Sequence, residues 1–187
     1  MPVTLTYEMP ELVLAAPLDI HRSSVLPEWV DWNDHMNVAF YVLAFDQASG
    51  AFMRNMGLGR SYVDSKLGMT FVLETHVTYD RELRQGAPMR FSTQLLDRDA
   101  KRVHLHHEMF HAEQGYLAAT NEVIVMNIDF TTRRSAPWPV QATDRLERIW
   151  QAHKGLPRPA RAGRVMGLGR PPASQAPHRS PGKAASS

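Results

Sequence analysis

The chain has 187 residues, 43% of them hydrophobic, which is enough for one ordinary domain with an apolar core. It has no cysteine, so the composition excludes disulfides, thiolate metal ligands and a cysteine nucleophile. No apolar segment is long enough to span a membrane and the N-terminus has no signal-peptide pattern, so we expect a cytoplasmic protein with no membrane partner.

The formal net charge of +2 is unevenly distributed along the chain. Residues 157–187 contain five Arg, one Lys and no acidic residue, which leaves 15 basic and 19 acidic residues in the rest. This terminal segment is rich in Pro, Gly, Ser and Arg and has no apolar period, so we expect a disordered tail after a domain at residues 1–156. Because no aromatic residues are interleaved with its arginines, nucleic acid is not expected as a partner.

The predicted elements begin with an extended strand at residues 18–32, in which Pro27 favours an edge position or a bulge. From about Asn37 to Gly57 the pattern becomes helical. Apolar residues recur there at spacings of three and four and form a stripe: Val38, Tyr41, Val42, Phe45, Ala48, Phe52 and Met56. Residues 60–68 then predict a short helix or loop.

Four strand-like segments follow, at 69–83, 88–99, 103–113 and 117–130, and residues 144–155 predict a closing amphipathic helix. Turns at 97–102 and 113–116 favour short antiparallel hairpins. One long apolar helix must bury its stripe, and the concave face of such a sheet is the natural partner. The sequence therefore predicts an α+β fold in which a curved antiparallel sheet wraps one central helix, assembled as a homodimer or homotetramer.

Polar residues crowd the start of the predicted helix, because Asp31, Asn33 and His35 alternate directly before it. Asn33, Asp34 or Asn37 is expected to cap its first turn. The unpaired N–H groups of a helix N-terminus favour anions and suit an oxyanion. A carboxylate beside them acts as a general base or a nucleophile toward a carbonyl, although plain caps with a structural histidine would give the same pattern.

The stretch DWNDHMNVAFY, residues 31–41, resembles the signature at the start of the central helix in hotdog-fold thioesterases of the 4-hydroxybenzoyl-CoA and acyl-ACP types. Their pattern is Asp-x-x-Gly-His-x-Asn-Asn-x-x-Tyr or Asp-x-Asn-x-His-x-Asn-Asn-x-x-Tyr. The matching positions are Asp31, Asn33, His35, Asn37 and Tyr41. Asp34 stands where Gly is frequent, and Val38 where a second Asn is frequent.

Two further matches extend this resemblance. VTYDRELRQGAPMRFSTQLL, residues 77–96, resembles a strand pair of the family, in which an acid at the position of Glu82 belongs to the active-site network. VLPEWVDWNDHMNVAFYVLAFDQA (25–48) and LLDRDAKRVHLHHEMFHAEQGYLAATNE (95–122) resemble thioesterases of the betainyl-CoA type, which occur alone or fused behind L-carnitine dehydrogenase. The resemblance covers roughly residues 18–150. The chain lacks a G-x-G-x-x-G motif after a strand, so we expect the thioesterase alone.

The resemblance implies hydrolysis of an acyl-CoA, with betainyl-CoA of carnitine breakdown as the expected substrate. The expected catalytic residues, led by Asp31 as nucleophile or general base, are Asp31, Asn33, His35 and Glu82. The expected oxyanion donors are the backbone N–H groups of Met36, Asn37 and Val38. A quaternary ammonium binds aromatic faces or carboxylates, and the candidates are Trp29, Trp32, Asp34, Tyr41, Phe45 and Glu74. CoA phosphates need cations, and the candidates are Arg98, Lys101, Arg102, Arg133 and Arg134.

Other functions stay open at this point. The fold also serves hydratases and dehydratases of 3-hydroxyacyl thioesters, thioesterases for other short or aromatic acyl groups, and non-catalytic dimers that bind acyl-CoA. In HLHHEMFH, residues 104–111, His104 and His106 would share one strand face, but a metal site needs a third ligand. An edge or dimer-contact strand explains these histidines better, so we expect neither a metal nor a cofactor.

Overall fold

The computed structural model describes residues 3–168, which form five strands and three α-helices. The elements in chain order are β1 (Leu18–Ser24), a turn of 3₁₀ helix (Pro27–Trp29), α1 (Val38–Asn55), α2 (Arg60–Asp64), β2 (Gly68–Tyr79), β3 (Pro88–Arg98), β4 (Arg102–His111), β5 (Leu117–Asp129) and α3 (Val140–His153). The first strand is shorter than predicted, because Pro27 fixes φ, lacks an N–H and begins the 3₁₀ turn. No helix in this part of the chain is long and apolar enough to cross a membrane.

All five strands belong to one antiparallel sheet in the order β1-β3-β4-β5-β2. The hairpins from β3 to β4 and from β4 to β5 are as predicted, but β2 and β3 do not form a hairpin. β2 pairs with β5, so residues 80–87 cross one end of the sheet before β3 joins β1 and β4. We call residues 80–87 the crossing segment. β1 and β2 are the edge strands, which confirms the edge position predicted for the first strand.

Helix α1 packs against one face of the sheet. Phe45 and Phe52 are fully buried there, and the Phe45 ring meets that of Phe91 on β3 at 5.9 Å between centroids. Burial of each such side chain contributes about 1.5–3 kcal/mol. The predicted stripe is wrong at Val38 and Val42, which are 56% and 43% exposed. Helical periodicity identifies a face of a helix, but it does not say how far along that face the sheet extends.

A buried polar contact ties α1 to the sheet. The Ser49 hydroxyl donates to the Phe45 carbonyl (3.1 Å) and lies 3.0 Å from Nε2 of His107, while Thr93 Oγ1 lies 2.9 Å from Nδ1 of the same ring. Because the Ser49 hydrogen is used by Phe45, Nε2 of His107 carries the ring hydrogen and Nδ1 accepts from Thr93. Burial lowers the pKa of His107 to about 3, so this ring is neutral at physiological pH.

The histidine-rich segment is β4, the central strand of the sheet, which corrects the prediction of an edge strand. Its side chains alternate between the faces, so His107 faces α1 while His104 and His106 share the opposite face, as predicted. Nε2 of His104 lies 2.7 Å from Oε1 of Glu122 on β5. Within residues 3–168, no three His, Asp or Glu side chains are grouped as a metal site requires.

The chain after α3 stays in contact with the domain. Residues 157–168 have no regular structure; residues 157–163 contact the face of the sheet opposite α1, whereas Val165, Met166 and Leu168 are largely exposed. The N–H of Gly163 donates to Oε2 of Glu122 (2.6 Å), and Arg161 forms an ion pair with Asp80. The rest of the predicted disordered tail, residues 169–187, lies outside the described residues.

Candidate functional site

The loop before α1 is a closed turn. The N–H of Asp31 donates to the carbonyl of His35 (3.2 Å), and that of Asp34 donates to the carbonyl of Asp31 (3.0 Å). Asp34 has a φ of 62°, which lies in the left-handed region that favours glycine. The Gly that is frequent in the family at this position suits that conformation, and Asp is one of the few other residues that adopt it.

Asp31 is a surface carboxylate whose two oxygens are both held by its own loop. Oδ1 accepts from the N–H of Asn33 (2.9 Å), and Oδ2 accepts from the side-chain amide of Asn37 (3.1 Å). The bond from Asn33, with smaller contributions from Asn37 and from the nearby His35, lowers the pKa of Asp31 below its usual range. The group is therefore ionised at physiological pH, as a general base or a nucleophile must be.

Asn37 is the cap of helix α1. Its Oδ1 accepts from the N–H of Ala39 (3.0 Å), and its backbone is extended. The side-chain nitrogen of the same residue donates to Asp31, so one amide orders both the helix start and the carboxylate. Of the three residues expected to cap the helix, the structure selects Asn37, while Asn33 and Asp34 belong to the turn before it.

The backbone N–H groups at this helix start differ in their availability. Met36 donates to the carbonyl of Leu83 (2.7 Å), and Asn37 donates to the carbonyl of Trp29 (2.8 Å). The N–H of Val38, the first residue of α1, has no acceptor among the described residues. Val38 is thus the one of the three predicted donors that is available to an oxyanion, at the end of the helix where its dipole is positive.

The crossing segment holds the helix start in place. Leu83 is fully buried, and its N–H donates to the Tyr41 hydroxyl (3.1 Å) while its carbonyl accepts from Met36. The hydroxyl of Tyr116, the residue directly before β5, donates to the carbonyl of Glu82 (3.0 Å). Tyr41 is the last residue of the stretch at residues 31–41, which we call the opening motif, and it therefore connects α1 to the segment that carries Glu82.

A cavity of about 350 Å³ opens beside these groups, a volume that suits a small ligand. We call it the site cavity, and its lining residues are His35, Met36, Val38, Tyr41, Tyr79, Asp80, Arg81 and Glu82. A larger cavity of about 510 Å³ lies on the opposite face of the sheet, beneath residues 163–166, and contains no residue of the opening motif. The chemistry of the motif therefore assigns the candidate site to the smaller cavity.

Five of the six predicted pocket residues do not line the site cavity, and one of them, Asp34, belongs to the turn before α1. Trp29 is buried and stacks on Phe40 (5.5 Å between centroids), and Phe45 is buried in the core. Trp32 is 93% exposed, and Glu74 lines the larger cavity on the opposite face. Closeness to the motif in sequence predicted these residues, but the direction of a side chain depends on packing that only the folded chain shows.

His35 and Glu82 both line the site cavity. Nδ1 of His35 lies 3.4 Å from the carbonyl oxygen of Met36, which is long for a hydrogen bond and leaves the ring free to bind other groups. Oε1 of Glu82 accepts from Arg84 (3.1 Å), so this carboxylate already has a cationic partner. Asp31 remains the carboxylate of the predicted catalytic group that pairs with no Lys or Arg of the described chain.

The residues predicted to bind CoA phosphates lie at the other end of the sheet. β3 has 11 residues, so about 33 Å separate its start near the crossing segment from its end at Arg98. Lys101 Nζ lies 3.4 Å from Ser135 Oγ, which brings the β3–β4 hairpin beside the loop that carries Arg133 and Arg134. In the structure the basic residues of the β3–β4 hairpin therefore lie beside Arg133 and Arg134, but both sets lie far from residues 31–41 of the same chain.

These basic residues are not equally free. Arg98 forms an ion pair with Glu147 and lies over the Trp150 ring (5.4 Å to the centroid). Arg102 forms an ion pair with Asp99 (2.6 Å). Both guanidinium groups thus have roles within the fold, which leaves Lys101, Arg133 and Arg134 as the cations that a ligand would meet first.

Tyr79 lines the site cavity and is absent from the predicted residues. It is the last residue of β2, is 48% exposed, and meets the Tyr41 ring edge-on (5.3 Å between centroids, 89° between planes). The signal that could have found it is its place directly before Asp80, Arg81 and Glu82 in the second stretch that resembles the family.

Comparison with known proteins agrees with this fold. The profile of the thioesterase-like superfamily matches residues 25–146, and the chain belongs to that superfamily and has the hotdog fold. Its reaction class is thioester hydrolysis, as the sequence predicted. A Staphylococcus aureus protein solved in complex with CoA superposes with a TM-score of 0.75 at 28% identity, over 82% of this chain and 98% of that one.

The similar proteins of known activity point further. The betainyl-CoA thioesterase of Pseudomonas aeruginosa is 38% identical over 151 residues, which cover 81% of this chain and 95% of that protein. The L-carnitine dehydrogenase/betainyl-CoA thioesterase of Rhizobium meliloti is 30% identical over 153 residues, which cover 82% of this chain. The match covers 31% of the Rhizobium meliloti protein, so this chain corresponds to about a third of that relative.

Proposed function

We propose that this protein hydrolyses betainyl-CoA to betaine and CoA. The observation that carries the proposal is the 38% identity with a betainyl-CoA thioesterase over 95% of that relative. The site supports it, because Val38 at the start of α1 lines a small cavity and has an available N–H, and the ionised carboxylate of Asp31 lies in the loop before it, bonded to Asn37. Since the substrate would be a CoA ester of intermediary metabolism, we place the reaction in the cytoplasm.

In the proposed reaction the thioester carbonyl lies at the start of α1, with its oxygen toward the N–H of Val38. That N–H and the helix dipole stabilise the negative charge that develops on the oxygen. Asp31 either takes a proton from a water that attacks the carbonyl carbon, or attacks that carbon itself to form an anhydride that water then opens. In both routes the carbon–sulfur bond breaks and CoA leaves as a thiolate that takes up a proton.

The other motif residues are proposed to position these groups. Asn33 and Asn37 hold the two oxygens of Asp31, so they fix the direction in which its lone pairs point. His35 lines the site cavity and would orient water or the thioester carbonyl. Glu82 would orient water from the crossing segment, with a smaller contribution than Asp31 because Arg84 already neutralises its charge.

We propose that two copies associate through β2, either as a dimer or as part of a tetramer. β2 is a 12-residue edge strand, and Phe71 and Leu73 on it are 61% and 45% exposed. An unpaired edge with apolar side chains is a template for pairing, and a second β2 fits it about a two-fold axis. Gel filtration with light scattering should give at least twice the 21.1 kDa of one chain. A Leu73→Glu variant should shift toward the monomer, and a wild-type monomer would contradict the proposal.

This association would give the basic end of the sheet a role. Antiparallel pairing of two β2 strands places that end of one copy beside the start of α1 in the other. We propose that Lys101, Arg133 and Arg134 bind the CoA phosphates of a substrate whose acyl group lies in the partner's site cavity. Raised KM with unchanged kcat in a Lys101→Ala variant is the expected sign of such a binding role.

The substrate assignment is tested with a panel of acyl-CoA esters. Release of CoA thiol from betainyl-CoA, acetyl-CoA and benzoyl-CoA is followed with a thiol reagent. We expect kcat/KM for betainyl-CoA to exceed the others by about 10-fold or more. A preference for acetyl-CoA or benzoyl-CoA would assign another acyl group to the same chemistry.

The same panel separates the other classes of function. Crotonyl-CoA, followed by the loss of its enoyl absorbance, detects a hydratase, and we expect no hydration. Hydration without thiol release would contradict the proposed reaction. Calorimetric binding of betainyl-CoA without turnover would instead indicate a non-catalytic binding domain.

A further inference from the structure

The site cavity has two aromatic side chains in its lining, Tyr41 and Tyr79. Tyr41 is buried, and its hydroxyl accepts a hydrogen bond from the backbone of Leu83. Tyr79 lies edge-on to it and is 48% exposed. Of the two rings, Tyr79 is therefore the one that can offer an open surface to a ligand.

Trp32 is 93% exposed but does not line the site cavity, and two other aromatic rings near the helix start are already in contact with other groups. The ring of Tyr116 has the guanidinium of Arg81 over its face at 4.0 Å, so an internal cation occupies it. The ring of Trp29 is stacked on Phe40 and is 5% exposed. Neither ring is free to receive a cationic group from a substrate.

The carboxylates of the cavity are also occupied. Asp80 forms an ion pair with Arg161 of the C-terminal segment, and Glu82 forms one with Arg84. Each acid is neutralised by its own arginine within the described chain, so neither presents an unbalanced charge to the cavity. What remains for the recognition of a cation is an aromatic surface.

We propose that Tyr79 is the specificity-determining residue for a cationic acyl group, and that it receives the trimethylammonium head of the substrate on its ring. The proposal rests on the proposed function, since it concerns the acyl group of that reaction. A quaternary ammonium has no hydrogen to donate, so hydrogen-bond acceptors cannot hold it, whereas the negative face of an aromatic ring attracts it. Tyr79 is also at the end of β2, within the same cavity as the Val38 N–H that the thioester carbonyl would meet.

A neutral isostere isolates the charge of the substrate. In 3,3-dimethylbutyryl-CoA a carbon replaces the nitrogen of betainyl-CoA, so the two acyl groups have the same shape and differ by one positive charge. The measured quantity is the ratio of kcat/KM for the two esters in the wild type and in Tyr79→Phe and Tyr79→Leu variants. Because both esters meet the same mutated cavity, changes in packing or assembly cancel in this ratio.

We expect the wild type to favour betainyl-CoA, and Tyr79→Phe to keep that ratio within about threefold because the ring face is retained. Tyr79→Leu should lower the ratio about 10-fold, through a higher KM for betainyl-CoA with little change for the neutral ester. Trp32→Leu is the matched control, and it should leave the ratio unchanged because this exposed ring lies near the helix start but does not line the site cavity.

Two results would overturn the proposal. A Tyr79→Leu variant that keeps the wild-type ratio would show that the ring does not read the charge. An equal fall of kcat/KM for both esters in Tyr79→Leu would assign Tyr79 a structural role. Failure of the proposed function itself is visible in the wild type alone, as hydrolysis of the neutral ester without hydrolysis of betainyl-CoA.

Discussion

Helix α1 has a polar group at its start and another beneath its middle, and the two have opposite environments. Asp31 lies at the surface with its oxygens held by Asn33 and Asn37, and its pKa is lowered by those bonds. His107 is fully buried between Ser49 and Thr93, and burial lowers its pKa to about 3. The first group is charged and accessible, whereas the second is neutral and sealed.

This difference distinguishes a candidate reactive group, Asp31, from a structural group, His107. A group that reacts with substrate must be accessible and in the reactive protonation state, and Asp31 is half-exposed and has a lowered pKa. A buried histidine with both nitrogens paired contributes a fixed link between a helix and a sheet. Replacement of Asp31 should therefore abolish activity with little loss of stability. Replacement of His107 should lower stability with little loss of activity.

Replacement of Asp31 has the largest expected effect. Asp31→Asn keeps an oxygen that accepts from the N–H of Asn33 but removes the charge and the basicity. We expect kcat to fall about 10⁴-fold, because neither general-base nor nucleophilic attack is left. The free energy of unfolding should fall by no more than about 1 kcal/mol, since the position is half-exposed and the bond from the Asn37 amide is the one that is lost.

The control for this change is Asp46→Asn, which removes an exposed carboxylate from helix α1, outside the loop that contains Asp31. Thiol release with betainyl-CoA and denaturant unfolding are measured on both variants. Full turnover by Asp31→Asn would sink the assignment of the reactive carboxylate.

Removal of the Val38 N–H has the next largest effect. Val38 is the first residue of α1, where proline is well tolerated, and Asn37 before it already has φ −66° and ψ 145°, as a residue before proline requires. Val38→Pro should therefore fold normally and lower kcat about 10²- to 10³-fold, as the loss of an oxyanion donor does. Val38→Ala trims the side chain but keeps the N–H, and equal activity of the two variants would exclude this donor.

The sequence predicts most of the fold because its signals are local. The periodicity from Asn37 to Gly57, the strand patterns and the two hairpin turns place the helix and four of the strands within a few residues of their observed bounds. The pairing of β2 with β5 was missed, because register across a sheet depends on contacts between distant residues. The central position of β4 was missed for the same reason.

The site is predictable to the same extent. The spacing from Asp31 to Asn37 is local, so the cap and the turn that holds the carboxylate follow from it. Which aromatic side chain faces the cavity is a tertiary property, so Trp29 and Phe45 were expected there and Tyr79 was not. Resemblance to a family locates the chemistry, but the walls of the pocket depend on packing.

Replacement of His107 tests the other half of the comparison. At pH 7.5, His107→Gln should lower the free energy of unfolding by about 1–3 kcal/mol, because buried hydrogen bonds to Ser49 and Thr93 are lost or strained. Turnover by the folded variant should stay within about threefold of the wild type, since the ring touches no group of the site.

The lowered pKa of His107 also predicts how the free energy of unfolding depends on pH. The pKa of His107 is about 3 in the folded protein and about 6.5 in an unfolded chain, so the unfolded chain takes up the proton first. The contribution of this group is therefore complete only above pH 6.5, and about 2 kcal/mol of it is lost between pH 6.5 and pH 5. The stability gap between the wild type and His107→Gln should shrink over that range, and a constant gap would contradict a neutral buried ring.

Replacement of Asp34 has the smallest expected effect. Its φ of 62° favours glycine, so Asp34→Gly should raise stability slightly, and Asp34→Val should lower it by about 1–2 kcal/mol because a β-branched side chain crowds the left-handed backbone. We expect kcat/KM for betainyl-CoA to stay within about threefold in Asp34→Gly, since Asp34 serves the turn and not the cavity. If Asp34→Gly instead lowered kcat/KM for betainyl-CoA but not for its neutral isostere, the Asp34 carboxylate would be part of the cation site as well as of the turn.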